Sequence, residues 1–183
     1  MVVEIRRARV ADAEDYATIR LEALRVAPDA FGSVYEDVAK FPLNRFEEQL
    51  RNGCYFLAYD DDGVIGTSSY AQYSSNRRRH AGLYGMFVTP HWQGQGVAAE
   101  LVNAVRQRAR LGGYRELYLS VNPAMARAVA FYEREGFRDT GEREPMRRDS
   151  SVSLMTMKAH AERETGGNLT WRPVHRDTEQ YIP

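Results

Sequence analysis

Several things are scarce in this 183-residue chain. It has one cysteine, Cys54, so no disulfide can close within it, and such thiol usage fits a reducing, cytoplasmic setting. Cysteine and histidine form no ligand-spaced cluster, so no metal site is expected. Net charge is missing too: 25 basic residues meet 25 acidic ones. General binding to nucleic acid or to a membrane surface is therefore not expected. No apolar run approaches the roughly 20 residues that span a bilayer. The opening MVVEIRRARV also lacks the apolar stretch of a signal peptide. No internal repeat or low-complexity segment interrupts the chain. What remains is an ordinary globular composition, 43% hydrophobic and 27% charged, at a length that suits one domain and buries roughly 70% of the surface of the extended chain.

Period and punctuation divide the chain into elements. Residues 3–8 alternate and predict a first strand. Asp12 is placed to cap a helix carrying Tyr16, Ile19, Ala23 and Leu24 inward, and Pro28 stops it. Pro42 opens a shorter helix with Leu43, Phe46 and Leu50 on one face, closed by Asn52-Gly53. Residues 54–59 and 64–71 flank Asp60-Asp61-Asp62-Gly63, a hairpin signal. A polar loop, residues 74–80, precedes a fourth strand in the run Leu83-Tyr84-Gly85-Met86-Phe87-Val88. Residues 115–121 predict a fifth strand, and 151–157 a last one. The domain is expected to close at residue 158. Residues 159–183 form a tail whose Trp171, Val174, Tyr181 and Ile182 either hang free or dock on this domain or on a second copy.

The stretch at 88–111 organises the rest. After strand four a turn at Thr89-Pro90 leads to Gln93-Gly94-Gln95-Gly96, which opens a helix with Val97, Leu101 and Val105 on its inner face. Gly112-Gly113 end it. A strand, a glycine turn and a helix start leave several amides facing one way without partners. The helix dipole adds partial positive charge there, so a phosphate or diphosphate is the natural guest. A dinucleotide fold would need a third glycine at position 99, which is Ala99, and a P-loop would need Gly-Lys-Ser/Thr; neither is present. Some other phosphate-binding α/β module stays open at this point. Further along, Asn122-Pro123-Ala124-Met125-Ala126-Arg127-Ala128-Val129-Ala130-Phe131-Tyr132 runs as a helix to Gly136-Phe137.

On these residues the chain resembles the GCN5-related N-acetyltransferases (GNAT). The acetyl-CoA signature Arg/Gln-x-x-Gly-x-Gly/Ala matches Gln93-Gly94-Gln95-Gly96-Val97-Ala98, behind a Val-x-Pro at Val88-Thr89-Pro90. A second motif matches Ala128, Phe131, Tyr132, Gly136 and Phe137. The resemblance is strong over residues 81–140 and looser from 3 to 157. It departs at Met125, where the family usually has an Asn that contacts CoA; Asn122 is the nearby substitute. The implied fold is α/β, a mixed sheet of about seven strands with strands four and five splayed at its centre and about four helices.

The resemblance also implies a chemistry. Acetyl-CoA would donate its acetyl group to the primary amine of a small-molecule acceptor by direct attack, without a metal. Residues 93–98 would cradle the diphosphate, the pantetheine arm would pair along Met86, Phe87 and Val88, and an amide at a bulge near Gly85 would polarise the thioester carbonyl. Tyr132 would protonate the departing thiolate, which a phenol can do. The family's strand-four Glu is replaced by Gly82. By the two-residue period His80 and Tyr84 share its face, which makes His80 the best base because its ordinary pKa lies near 6.5; Glu22, Glu36 and Asp37 are other candidates. For the acceptor, Phe31 and Tyr35 would supply apolar walls, and Glu36 and Asp37 would hold an ammonium. Arg77-Arg78-Arg79 would attract an acidic group. The competing reading is a non-catalytic acyl-CoA-binding regulator of the same fold. The resemblance leaves monomer and homodimer both open.

Overall fold

The computed structural model describes residues 2–73 and 80–162. The docking expected of Trp171, Val174, Tyr181 and Ile182, and the arginines at 77–79, lie outside the described residues. The strands are β1 (Glu4–Arg7), β2 (Cys54–Tyr59), β3 (Val64–Gln72), β4 (His80–Val88), β5 (Glu116–Val121), β6 (Arg138–Met146) and β7 (Asp149–His160). The helices are α1 (Ala13–Val26), α2 (Tyr35–Val38), α3 (Leu43–Asn52), α4 (Val97–Leu111) and α5 (Ala126–Arg134). All seven strands join one sheet in the order β1-β2-β3-β4-β5-β7-β6. Only β4 and β5 run parallel, which is why a whole helix, α4, is needed to connect them.

Alternation along the strands splits the core between the two faces of the sheet. On β2, Leu57 packs among Ile19, Leu24, Phe46 and Leu50 of α1 and α3, whereas its neighbours Phe56 and Ala58 pack among Leu101, Val102 and Val105 of α4. Phe87 and Val88 divide in the same way, to the α1 side and the α4 side respectively. The sheet is thus a three-layer filling, and whatever happens within the sheet is felt by both helix layers.

Local chemistry fixes the ends. The Asp60 carboxylate accepts the amides of Asp62 and Gly63 at 2.9 Å each, which shapes the β2–β3 hairpin. Its other oxygen accepts the Trp92 indole N–H at 2.8 Å, which ties that hairpin to the turn ahead of α4. Asp12 departs from its expected role: instead of capping α1 with its side chain, it takes both guanidinium nitrogens of Arg6 at 2.8 Å and the Arg9 amide at 2.7 Å. A bidentate charged pair outcompetes a single capping bond.

Two boundaries also differ from expectation. β4 begins at His80, not after it, because Ala81 pairs with Gln72 of β3 and His80 with Glu116 of β5. β7 runs past residue 158 to His160, paired with Glu116. The Ala161 amide then bonds Arg115 O at 2.9 Å, so the sheet takes up the first residues assigned to the tail.

The inner stripe of α4 contains a residue whose charge alone would put it outside. Arg106 is 5% exposed. It donates to His160 O and to Glu135 O at 2.5 Å each and lies 5.2 Å from the Phe137 ring centre, fastening α4 to the ends of β7 and α5. Replacing it leaves buried carbonyls without a donor. Arg106→Leu is expected to lower the unfolding free energy by about 3 kcal/mol, a fall in Tm of roughly 6–12 °C, read by denaturant and thermal melts; a shift below about 1 kcal/mol would show that this clasp is dispensable.

Candidate active site

β4 and β5 stay paired for only three positions, His80↔Glu116, Ala81↔Leu117 and Gly82↔Tyr118. Beyond Gly82 the β5-facing edge of β4 has no strand partner among the described residues. The other edge shows the cause. Thr67 faces Phe87 and Ser69 faces Tyr84, so Ser68 alone stands opposite Gly85 and Met86, and Gly85 has φ +61°. That is a β-bulge with glycine in the left-handed position, and it turns the strand away from β5. An unpaired sheet edge inside a fold is a ready partner for an extended ligand.

The opening continues into a cleft of about 1760 Å³. One half lies between the ends of β4 and β5 and the starts of α4 and α5. Met86, Phe87 and Val88 line it from β4, Gln93, Gly94, Gly96 and Ala98 from the turn, and Asn122, Ala128, Phe131 and Tyr132 from the β5–α5 segment. Gly94 has φ +80° and Gly96 φ +88°, conformations that glycine alone adopts readily. A Cβ on either would meet no atom within 4 Å, so it would stand in the cleft itself. The amides of the first turn of α4 face this space without intrahelical partners, and an anionic diphosphate fits the cradle. Gln93 is held by its side-chain N–H to Val88 O at 3.0 Å, which closes the turn onto the strand.

The other expected coenzyme residues divide. Gln95 sends its side chain to His91 O at 2.7 Å, and Val97 is buried under α4; neither side chain is among those lining the cleft. Asn122 lines it, but its carboxamide oxygen accepts the Ala124 amide at 3.0 Å, a turn that starts the α5 segment. Tyr132 lies with its ring 5.7 Å from Phe137. Its hydroxyl has no hydrogen-bond partner among the described residues, and burial pushes its phenol above the ordinary range.

The acceptor-side expectations are revised. His80 does not line the cleft. Its Nε2 lies 2.8 Å from the Glu116 carboxylate, and its ring stacks on Tyr118 at 4.9 Å, at the paired end of β4 and β5. Sharing the face of position 82 put it one strand step too far from the opening. Tyr84 does line the cleft. Its ring lies over Gly82, where an added Cβ would lie 2.5 Å from the phenol; a Glu at 82 would require this ring to move. Phe31 and Asp37 also line the cleft, but Tyr35 and Glu36 do not, because the short α2 turns them outward. Sequence reasoning missed Glu144 of β6, which lines the cleft and accepts a hydrogen bond from Ser120 of β5. It also missed Arg20 of α1 and Arg147 of the β6–β7 turn, both on the cleft. Nothing in the local pattern of β6 marked Glu144, since its partner is 24 residues away.

Among the described residues no group of three His, Cys, Asp or Glu could hold a metal, and no helix is long and apolar enough to cross a membrane. The cradle makes a direct claim. Gly94→Ala is expected to weaken acetyl-CoA binding at least tenfold in calorimetry while Tm falls by only a few degrees, from about 1–2 kcal/mol of left-handed strain. Unchanged affinity would remove the turn from the binding site.

A family model for the acetyltransferase (GNAT) family matches residues 16–137, more than half of the chain. Human N-acetyltransferase 8 is 31% identical over 94 residues, covering 50% of this chain and 41% of that protein, so the chain spans less than half the length of this relative. A GNAT-family acetyltransferase structure from Streptococcus pneumoniae aligns with a TM-score of 0.72 at 20% identity, over 87% of this chain and 99% of that one. The yncA structure from Salmonella typhimurium, solved with its cofactor acetyl-CoA, aligns at 0.68 and 20% identity over 93% of this chain and 100% of that one. At such identities the structures establish the fold: a mixed seven-stranded sheet parted at its centre. With a family model spanning two thirds of its length, this chain belongs to the acetyltransferase (GNAT) family.

Proposed function

We propose that the chain acetylates the primary amine of a small-molecule acceptor by direct attack on acetyl-CoA, in a cytoplasmic setting. The observation that carries this reading is the Tyr132 phenol: unpartnered, kept protonated by burial, and lining the cleft across from the glycine turn. When bound, acetyl-CoA supplies the activated acyl group, and the chain's own residues do the rest. The amides of residues 93–98 anchor the diphosphate. The free edge of β4 at Met86, Phe87 and Val88 aligns the arm, and a bulge amide beside Gly85 donates to the thioester carbonyl. One such donor typically lowers a barrier by roughly 3 kcal/mol. Holding amine and thioester together contributes more, on the order of 7–11 kcal/mol.

The amine must attack as the free base, and an alkyl ammonium near pKa 10.4 costs roughly 4–5 kcal/mol to deprotonate at pH 7. Glu144 replaces His80 as the base in this reading. It is a carboxylate lining the cleft, bonded to Ser120 and close enough to Tyr84 to raise that phenol further, after burial and Tyr73. It takes the proton directly or through one water. Tyr132 gives its proton to the departing thiolate. Apolar walls come from Phe31 and its neighbours, which suits a small acceptor more than an extended peptide.

Tyr132→Phe is expected to lower kcat about 10²-fold with the acetyl-CoA Kd changed less than threefold; unchanged turnover would exclude this phenol from the chemistry. The pH profile separates the two groups. The phenol's folded pKa lies above its ordinary value, so its protonated form persists through pH 9 and no alkaline loss of kcat is traced to it there. Glu144→Gln is expected to lower kcat/KM on the order of tenfold or more at pH 7 and to converge on wild type as pH approaches the amine's own pKa. A constant deficit across pH would mean that Glu144 positions the acceptor without moving a proton.

A further inference from the structure

The acceptor half of the cleft contains a cation that no described residue neutralises. Arg20, on α1 one turn beyond Tyr16, lines the cleft with its guanidinium carbon over Phe31, 4.8 Å from the ring centre. It forms no ion pair and no hydrogen bond with any described residue. Arg6 and Arg45, by contrast, have carboxylates at 2.8 Å and 2.6 Å. Burial works against its charge, the phenols of Tyr16 and Tyr55 favour the charge, and Arg147 opposes it. Arg147 reaches the same space from the β6–β7 turn. Its nitrogens donate to Gly32 O at 3.3 Å and Ser33 Oγ at 3.2 Å, and no carboxylate among the described residues answers them either. The next residue, Arg148, also lines the cleft but is neutralised by Asp29 at 2.7 Å.

The Arg20 guanidinium loses hydration in this partly desolvated pocket, and the neighbouring Arg147 charge repels it. A planar guanidinium with its donors free is shaped for a carboxylate, which it can hold through two parallel bonds. A long arginine does sometimes only lay its stem on apolar surface with its head in water. Here the head sits on Phe31 inside the cleft, not beyond its rim. The sequence expectation of an ammonium held by Glu36 and Asp37 therefore changes: Glu36 is outside the cleft, Asp37 lines it but pairs with Lys40 at 3.8 Å, and the charge without a partner among the described residues is positive.

We propose that the acceptor carries a carboxylate as well as its amine, an amino acid or amino-acid conjugate with an apolar body, and that Arg20, aided by Arg147, binds the carboxylate while Phe31 packs against the body. This rests on the reading of the cleft as the place where a small amine meets acetyl-CoA, and it names the class of that amine.

The test is free-thiol release by the full chain with acetyl-CoA and matched acceptor sets: an apolar amino acid, its amide and its decarboxylated amine. The carboxylate member of the preferred set is expected to exceed both others at least tenfold in kcat/KM. Arg20→Gln is expected to collapse that ratio toward one, mainly through KM, with acetyl-CoA affinity and Tm near wild type; Arg20→Lys restores part of it. Should Arg20→Gln fail to fold, Arg147→Gln reads the same ratio. Equal rates, or a preference for the neutral amines, would overturn the proposal. A second arm keeps it separate from the catalytic reading. If acetyl-CoA binds but no amine is acetylated, the proposed function fails, and calorimetry of the CoA-loaded protein with N-acetyl-L-phenylalanine and N-acetylphenethylamine still decides the anion site. Binding of the carboxylate alone, lost in Arg20→Gln, supports it; equal binding or none refutes it.

Discussion

Backbone hydrogen bonding is close to obligatory in a sheet, so two adjacent strands that stop pairing halfway along are held apart by something built in. Here that something is one extra residue. Gly85 and Met86 share a single partner on β3, the left-handed glycine absorbs the surplus, and β4 leaves β5 after Gly82. The rest of the molecule follows from this parting. It exposes a strand edge in the interior, lets Tyr132 and the β5–α5 segment approach from one side, and lets α1, the 27–34 loop and the β6–β7 turn wall the other. A continuous parallel pairing of β4 and β5 would have filled this space.

The elements around the gap are pinned at a distance from it. Asp60 joins the β2–β3 hairpin to Trp92 ahead of the glycine turn, Gln93 closes that turn onto Val88, and Arg106 binds α4 to the far ends of α5 and β7. His80 and Glu116, with Tyr118 stacked between His80 and Tyr73, seal the paired end. These fastenings leave the cleft itself with uncommitted polar groups: the helix-start amides, the Tyr132 hydroxyl and the Arg20 guanidinium. Open polar groups gathered in one cleft suit ligands that bring their own partners.

The sequence was most legible where a local rule was strict. Left-handed turns demand glycine, so Gly94, Gly96 and the bulge at Gly85 could be read from a few neighbours, and the strand, turn and helix around them followed from periodicity. That Tyr132 would stand at the cleft was legible through the motif that surrounds it. What escaped depended on contacts between distant segments. Glu144 matters because β6 swings it to Ser120, Arg20 because Phe31 and Arg147 arrive beside it, and Arg106 because two carbonyls from other elements meet inside the core. His80 was misplaced for the converse reason: period two gives a face but not a position along the strand, and Glu116, on another strand, decides where that imidazole is held. Met125 and Gly82 read as departures from the family pattern; for Gly82 the physical counterpart is the Tyr84 ring that occupies the space above it.

One experiment bears on the central claim more directly than any other, a crystal structure of the full chain grown with acetyl-CoA. The account predicts the diphosphate on the amides of residues 93–98, the pantetheine arm along the free edge of β4, and the thioester sulfur within reach of the Tyr132 hydroxyl. A coenzyme bound in the same cleft with its sulfur directed away from Tyr132, or bound anywhere else on the surface, would contradict it.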